Sequence, residues 1–104
     1  AKLTGISSFP EKVEEALWRI GQEAFGNCKK HAQTTHISLS LIRSNDSVTM
    51  TIQDQGCGFY YDEKLELPSF GLKNMKARTE ALRGTFLLTS EPGRGTEIKI
   101  QIPI

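Results

Sequence analysis

No uninterrupted apolar run in this sequence exceeds three residues, as in Phe59-Tyr60-Tyr61 and Phe86-Leu87-Leu88. A membrane-spanning helix needs about 20, so no membrane span is encoded and no membrane contact is expected of this domain. Cysteine is scarce as well: Cys28 and Cys57 are the only two, far apart and without metal-ligand spacing. They read as reduced cytosolic thiols, not as a disulfide framework. An excess of one charge sign is also missing, with 13 Lys+Arg against 12 Asp+Glu and a formal net charge of +1. That balance argues against nucleic acid as a partner, because a nucleic-acid module depends on a basic face. Internal repeats, low-complexity tracts, a secretory signal and an initiator Met are absent too. The chain, residues 1–104, is therefore read as one domain excised from something longer.

What is present suffices for a core. The apolar share is 38%, and the nine Gly bring it near the composition of ordinary globular proteins, which excludes disorder. Val13, Leu17, Ile20, Ala24 and Cys28 recur at three- and four-residue spacings and predict a long helix from Pro10 to Ala32. Ser8 and Glu11 fit a capping box at its start, with Pro10 in the first turn. Strict alternation follows: Ile37, Leu39 and Leu41, then Val48, Met50 and Ile52, flank the turn-rich Ser44-Asn45-Asp46-Ser47. This is a hairpin of two half-buried strands. From Asp54 to about Phe70 the sequence loses periodicity and carries Gly56, Gly58 and Pro68, as a long functional loop does. Leu72, Met75, Thr79 and Leu82 predict a second helix from about Leu72 to Arg83, with Gly84 as its C-cap. Two strands close the chain, Thr85 to Ser90 and Thr96 to Ile102. The pattern implies a two-layer α/β sandwich with helices on one face of a mostly antiparallel sheet.

Four clusters carry chemistry. Glu23, Asn27 and His31 recur every fourth residue on the long helix, so they form a polar stripe, with Lys30 just beside it. A carboxylate, an amide oxygen, an imidazole and an ammonium in a row suit a hydrated Mg²⁺ with phosphate oxygens, although a solvated helix face reads similarly. Asp54-Gln55-Gly56-Cys57-Gly58 follows directly on a strand, where two glycines admit a ligand close to the backbone. It has neither the third glycine of a dinucleotide fingerprint nor the Gly-Lys-Ser/Thr of a P-loop. Phe70-Gly71-Leu72 opens the second helix, a place where phosphate can approach unpaired N–H groups. Gly93-Arg94-Gly95-Thr96 lies between the last two strands, where an ordinary hairpin turn would also fit.

In this order and at these distances, the four clusters resemble one family: the ATP-binding catalytic domain of bacterial two-component sensor histidine kinases. That family belongs to the larger group of gyrase, Hsp90 and MutL ATPases. The stretch Arg19 to Asn27 with Lys30-His31-Ala32, and Gly71-Leu72-Lys73-Asn74-Met75, look like its nitrate-sensor and cell-wall-stress branch. The resemblance implies a Bergerat-type α+β sandwich with a mixed, mostly antiparallel sheet. It implies ATP and Mg²⁺, with Asn27 coordinating the metal and Glu23 holding a metal-bound water or supporting the reaction electrostatically. Lys30 and His31 would contact phosphates or ribose, and Asp54 would accept a hydrogen bond from the adenine amino group, buttressed by Thr96. Gly56, Gly58, Gly71, Leu72 and Gly95 would line the nucleotide, under a lid from about Phe59 to Phe70. The partners implied are the kinase's own dimerisation domain, which supplies the phosphoacceptor histidine, and a response regulator. Neither His31 nor His36 resembles that acceptor. The location implied is a cytoplasmic domain of a membrane-associated or membrane-spanning sensor. A serine kinase of the anti-sigma-factor type and a non-catalytic nucleotide-binding or docking module remain alternatives.

Overall fold

A computed structural model describes residues 9–27, 37–56, 58, 60–62 and 64–104. In chain order its elements are α1 (Glu11–Asn27), β1 (Ile37–Arg43), β2 (Ser47–Asp54), α2 (Phe70–Ala81), β3 (Thr85–Ser90) and β4 (Thr96–Pro103). Helical spacing puts Val13, Leu17, Ile20 and Ala24 on the buried side of α1. The Pro10 carbonyl accepts the first helical bond, from Glu14 N–H at 2.9 Å. Glu11 and Glu14 place their charge at the positive end of the helix. Ser8 and Cys28, expected at the two ends of this helix, lie outside the described residues.

The hairpin closes where expected. Ser44 N–H donates to the Ser47 carbonyl at 2.8 Å, and the two hydroxyls lie 2.7 Å apart. The four strands pair in the order β1-β2-β4-β3. Every ladder is antiparallel, so among the described residues the mixed sheet expected from the family contains no parallel pair. The strands β2 and β3 do run in the same direction, but β4 lies between them. Along the helix-facing side, cross-strand rows are apolar: Leu39–Ile52–Ile98–Leu88, then Leu41–Met50–Ile100–Phe86. They meet Leu17, Ile20, Leu72 and Met75 in one core, and each fully buried aliphatic side chain contributes about 1.5–3 kcal/mol. The opposite face carries Ser40, Thr51, Lys99 and Gln101. No helix among the described residues is long and apolar enough to cross a membrane.

Helix α2 starts at Phe70, two residues before the expected Leu72, because Ser69 caps it. The Ser69 Oγ accepts from Leu72 N–H at 3.2 Å with the backbone extended, as an N-cap requires. Thr79, buried on the core side, is satisfied by donating to the Met75 carbonyl at 2.8 Å. The helix ends differently from the expectation too. Arg83, not Gly84, adopts the left-handed conformation, at φ 62°. Arg83 N–H donates to Glu80 O at 3.0 Å and Gly84 N–H to Thr79 O at 2.9 Å, which together form a Schellman cap. Gly84 is required for space instead: a Cβ there would press on the Gln101 carbonyl and come within 2.9 Å of Thr79 Cγ2. A left-handed non-glycine residue costs about 1–2 kcal/mol, part of which glycine returns as chain entropy. Arg83→Gly should therefore raise the melting temperature by about 2–5 °C, whereas Gly84→Ala should lower it, both read by thermal unfolding.

The segment 60–69 has more structure than its sequence suggests. Asp62 accepts from Lys64 and Leu65 N–H groups at 2.9 and 2.8 Å, closing a turn. Leu67 is buried in the core and Tyr61 packs against it. Lys73 Nζ bonds Glu66 Oε1 at 2.7 Å, and this hydrogen bond and the ammonium charge hold the Glu66 carboxyl below its usual range. Both side chains are solvent-exposed, so the pair adds little stability.

Candidate functional site

The helix-facing side of the sheet breaks its apolar pattern in one row, Ile37–Asp54–Thr96–Ser90, at the C-terminal end of β2. All four residues line a cavity of about 800 Å³ that wraps the end of the sheet, together with Gln55, Glu91, Arg94, Gly95 and the adjacent opposite-face row Ser38–Gln53–Glu97–Thr89. That volume suits a nucleotide-sized ligand.

Asp54 ends β2 and is half-buried. Its Oδ1 accepts from Gly56 N–H at 3.0 Å, so the carboxylate is oriented by its own chain two residues on. Oδ2 has no partner among the described residues and is the oxygen that can accept from a ligand.

Two glycine clusters interlock around this carboxylate. Pro92 and Gly93 (φ 79°) form the centre of a type II turn, closed by Arg94 N–H to the Glu91 carbonyl at 3.0 Å. Gly93 thus serves backbone conformation alone, with open space around it. Gly95 combines a φ of 74° with a close approach, since a Cβ there would run into the Asp54 carbonyl oxygen. Gly58, at φ 64°, lies so near the turn that a Cβ would strike the carbonyl oxygens of Glu91 and Gly95. The Asp-x-Gly-x-Gly and Gly-x-Gly-Thr clusters are therefore two halves of one backbone contact beside Asp54.

Of the residues expected at the site, Asp54, Gly95 and Thr96 line the cavity, whereas Gly56 and Gly58 lie against Asp54 and the Glu91 and Gly95 carbonyls without lining it. Gly71 and Leu72 open α2 and do not line this cavity. Leu72 differs from expectation further. Its N–H is already engaged by Ser69, and its side chain is in the core. Glu23 is half-buried one helical turn before Asn27, which ends α1. It is not among the cavity-lining residues. Lys30 and His31 lie outside the described residues. Sequence reading missed Ser90, which is buried at 3% exposure. Its Oγ donates to Gly95 O at 3.1 Å and lies 2.9 Å from Thr96 Oγ1. The available signal was parity: Ser90 shares the inward side of β3 with Phe86 and Leu88. The ion pair Arg94–Glu91, at 3.7 Å, is exposed and decorates the rim.

Comparison with known proteins shows similarity in sequence and in fold. Residues 12–104 match the profile of the family described as histidine kinase-, DNA gyrase B-, and HSP90-like ATPase. The sensor protein VraS of Staphylococcus aureus (strain COL) is 41% identical over 95 residues, covering 91% of this chain and 27% of that protein. The signal transduction histidine-protein kinase/phosphatase DegS of Brevibacillus brevis is 44% identical over 96 residues, covering 92% of this chain and 25% of that protein. The chain thus spans about a quarter of the length of these curated relatives. Among solved structures, the Acinetobacter baumannii histidine kinase AdeS matches with a TM-score of 0.72 at 18% identity, over 86% of this chain and 46% of that one. The histidine kinase domain from the Erythrobacter litoralis EL346 blue-light activated histidine kinase matches with a TM-score of 0.69 at 22% identity, over 90% and 46%. These two share the fold: an open antiparallel sheet with two helices. With that fold, the interlocked glycine clusters beside Asp54 and a family profile spanning residues 12–104, the chain belongs to the histidine kinase-, DNA gyrase B- and HSP90-like ATPases.

Proposed function

We propose that this domain binds ATP and presents its γ-phosphate to a histidine on a separate dimerisation domain, as the catalytic part of a two-component sensor kinase. The observation that carries the reading is the Asp54 carboxylate, fixed by Gly56 N–H at the edge of a nucleotide-sized cavity. A carboxylate is acceptor-only and matches the N–H donors of the adenine amine. Gly56, Gly58 and Gly95 let backbone take the place of side chains against the ligand, while Thr96 supports Asp54 from the neighbouring strand. Gly71 sits in the first turn of α2, whose positive end favours phosphate. Leu72 contributes there through the packing that holds the turn. Lys30 and His31 are assigned to phosphate or ribose by family pattern alone.

The helix α1 runs through Asn27, and Glu23 precedes Asn27 by four residues in the sequence, a spacing that pairs a carboxylate with an amide. Hard oxygen donors in small number, leaving room for water and phosphate oxygens, fit Mg²⁺. Glu23 and Asn27 would hold it, Glu23 directly or through water, and the ion would supply charge neutralisation at the phosphates. Transfer breaks the bond between the γ-phosphorus and the β,γ-bridging oxygen as a phosphorus–nitrogen bond to the acceptor imidazole forms, leaving ADP. The protein's share is positioning, with Asp54 anchoring the base. The parent is proposed to be a membrane-associated or membrane-spanning sensor with this domain in the cytoplasm, passing phosphate to a response regulator.

Titration calorimetry with ATP and GTP tests the base assignment. Guanine turns a carbonyl oxygen toward Asp54, which leaves two buried acceptors face to face at about 1–3 kcal/mol. ATP should bind at least about fivefold more tightly than GTP. Equal affinities would remove Asp54 from base recognition.

A further inference from the structure

The sheet ends on β3, which pairs with β4 on one side and has no strand on the other among the described residues. An open edge presents backbone N–H and C=O groups to any further strand, and natural edges are blunted by charge, proline or a bulge. This edge has none of those devices. Thr85-Phe86-Leu87-Leu88-Thr89 carries no charged residue and no proline, and its register with β4 runs without a bulge. The opposite edge, β1, carries Arg43 in the strand itself. Leu88 is buried, Phe86 is half-buried, and Leu87, on the face away from the helices, is 52% exposed. Charge appears only beyond the ends of β3: Arg83 precedes it and Glu91 follows it, both exposed. The ion pair of Glu91 with Arg94, at 3.7 Å and on the surface, is loose enough to share the carboxylate.

Two copies of this strand can pair antiparallel about a two-fold axis. Side-chain alternation then limits the register, because opposed residues must share a face of the joined sheet. An axis at Leu87 sets Leu87 opposite itself, Phe86 opposite Leu88 of the second copy, and Thr85 opposite Thr89 of the second copy. It also brings Arg83 level with Glu91 of the second copy, twice by symmetry. Moving the axis to Phe86 or Leu88 sets Arg83 level with Thr89 or Gly93 instead and loses the charge match.

We propose that the free edge of β3 is a self-association surface, on which a second copy of this chain adds its own β3 antiparallel across a two-fold axis at Leu87. Two four-stranded sheets then become one of eight strands. Backbone hydrogen bonds supply the attraction, the Leu87–Leu87 and Phe86–Leu88 contacts bury apolar surface, and the two Arg83–Glu91 pairs select the register. The interface is small, so the dimer is weak, with a dissociation constant of about 10–500 µM.

Sedimentation equilibrium of the 104-residue chain, from about 10 µM to about 1 mM, tests the proposal. Wild type should pass from monomer to dimer across that range. Leu87→Lys sets two ammonium groups against each other on the axis and should weaken dimerisation at least about tenfold. Leu87→Glu should do the same with two carboxylates. Because Leu87 is half exposed, both variants should melt close to wild type. An equimolar mixture of the two should dimerise again, within about threefold of wild type, because acid then opposes base. Arg83→Glu leaves the strand unchanged and should weaken the dimer about threefold, and adding Glu91→Arg to the same chain should restore it. A wild-type chain that stays monomeric to the top of the range overturns the proposal. So does a dimer that neither Leu87 variant weakens, a mixture that fails to recover, or a charge swap that fails to restore.

Discussion

Asp54→Asn should lower ATP affinity at least about tenfold and reverse the preference between ATP and GTP, with little change in melting temperature. The prediction follows from the local bond at the end of β2. Asp54 Oδ1 accepts from Gly56 N–H at 3.0 Å, and an asparagine keeps that bond with its own carbonyl oxygen, so the loop geometry survives. The atom that changes is the one in place of Oδ2, which becomes an NH₂ group. Against adenine this sets donor against donor, and against guanine it supplies the donor that the ring carbonyl lacks. Each mismatch costs about 1–3 kcal/mol, so the two changes act in opposite directions on the two nucleotides. Calorimetry with both nucleotides reads the reversal directly. Uniform weakening of both would assign Asp54 to loop structure instead of base reading.

The elements that sequence reading placed well are those whose periodicity is strict. Val13, Leu17, Ile20 and Ala24 specify the buried stripe of α1, and the alternation through Val48, Met50 and Ile52 specifies which side of β2 is buried. Alternation does not say which strands are neighbours. That β4 lies between β2 and β3 is a property of the long-range pairing of Asp54 with Thr96 and Thr96 with Ser90. The close backbone approaches at Gly58 and Gly95 lock that pairing in place.

Local errors came from competition between rules. The rule that glycine ends helices pointed to Gly84, yet the left-handed residue is Arg83, because Gly84 is needed where the chain passes the Gln101 carbonyl. Ser69 moved the start of α2 forward through a cap that hydrophobic periodicity does not register. Leu67 anchors the segment before α2 as a single buried side chain, which has no period to detect. At the site, Asp54, Gly56, Gly58, Gly95 and Thr96 were legible because their residue types suit close backbone contact and hydrogen bonding. Ser90 was not, because a serine at a strand end reads as the start of a turn.

Phosphotransfer in trans carries the second large effect. Asn27→Ala should reduce it by at least about a hundredfold, since charge neutralisation at the phosphates is worth several kcal/mol. The same substitution should leave the melting temperature unchanged or slightly higher, because alanine is the better helix former at the end of α1. A large drop in melting temperature would mark Asn27 as a structural residue.

The most direct measurement mixes the 104-residue chain with a separately produced dimerisation domain carrying its helical histidine, in the presence of Mg²⁺ and ATP labelled at the γ-phosphate. Label should appear on the dimerisation domain, be lost in mild acid and persist in alkali, as expected for phosphohistidine. It should be weaker than in an intact kinase, because tethering supplies a high effective concentration. It should be absent with Asn27→Ala, and the chain alone should remain unlabelled. Acid-stable, alkali-labile label on the acceptor, or acid-labile label on the chain itself at His31 or His36, would contradict the account.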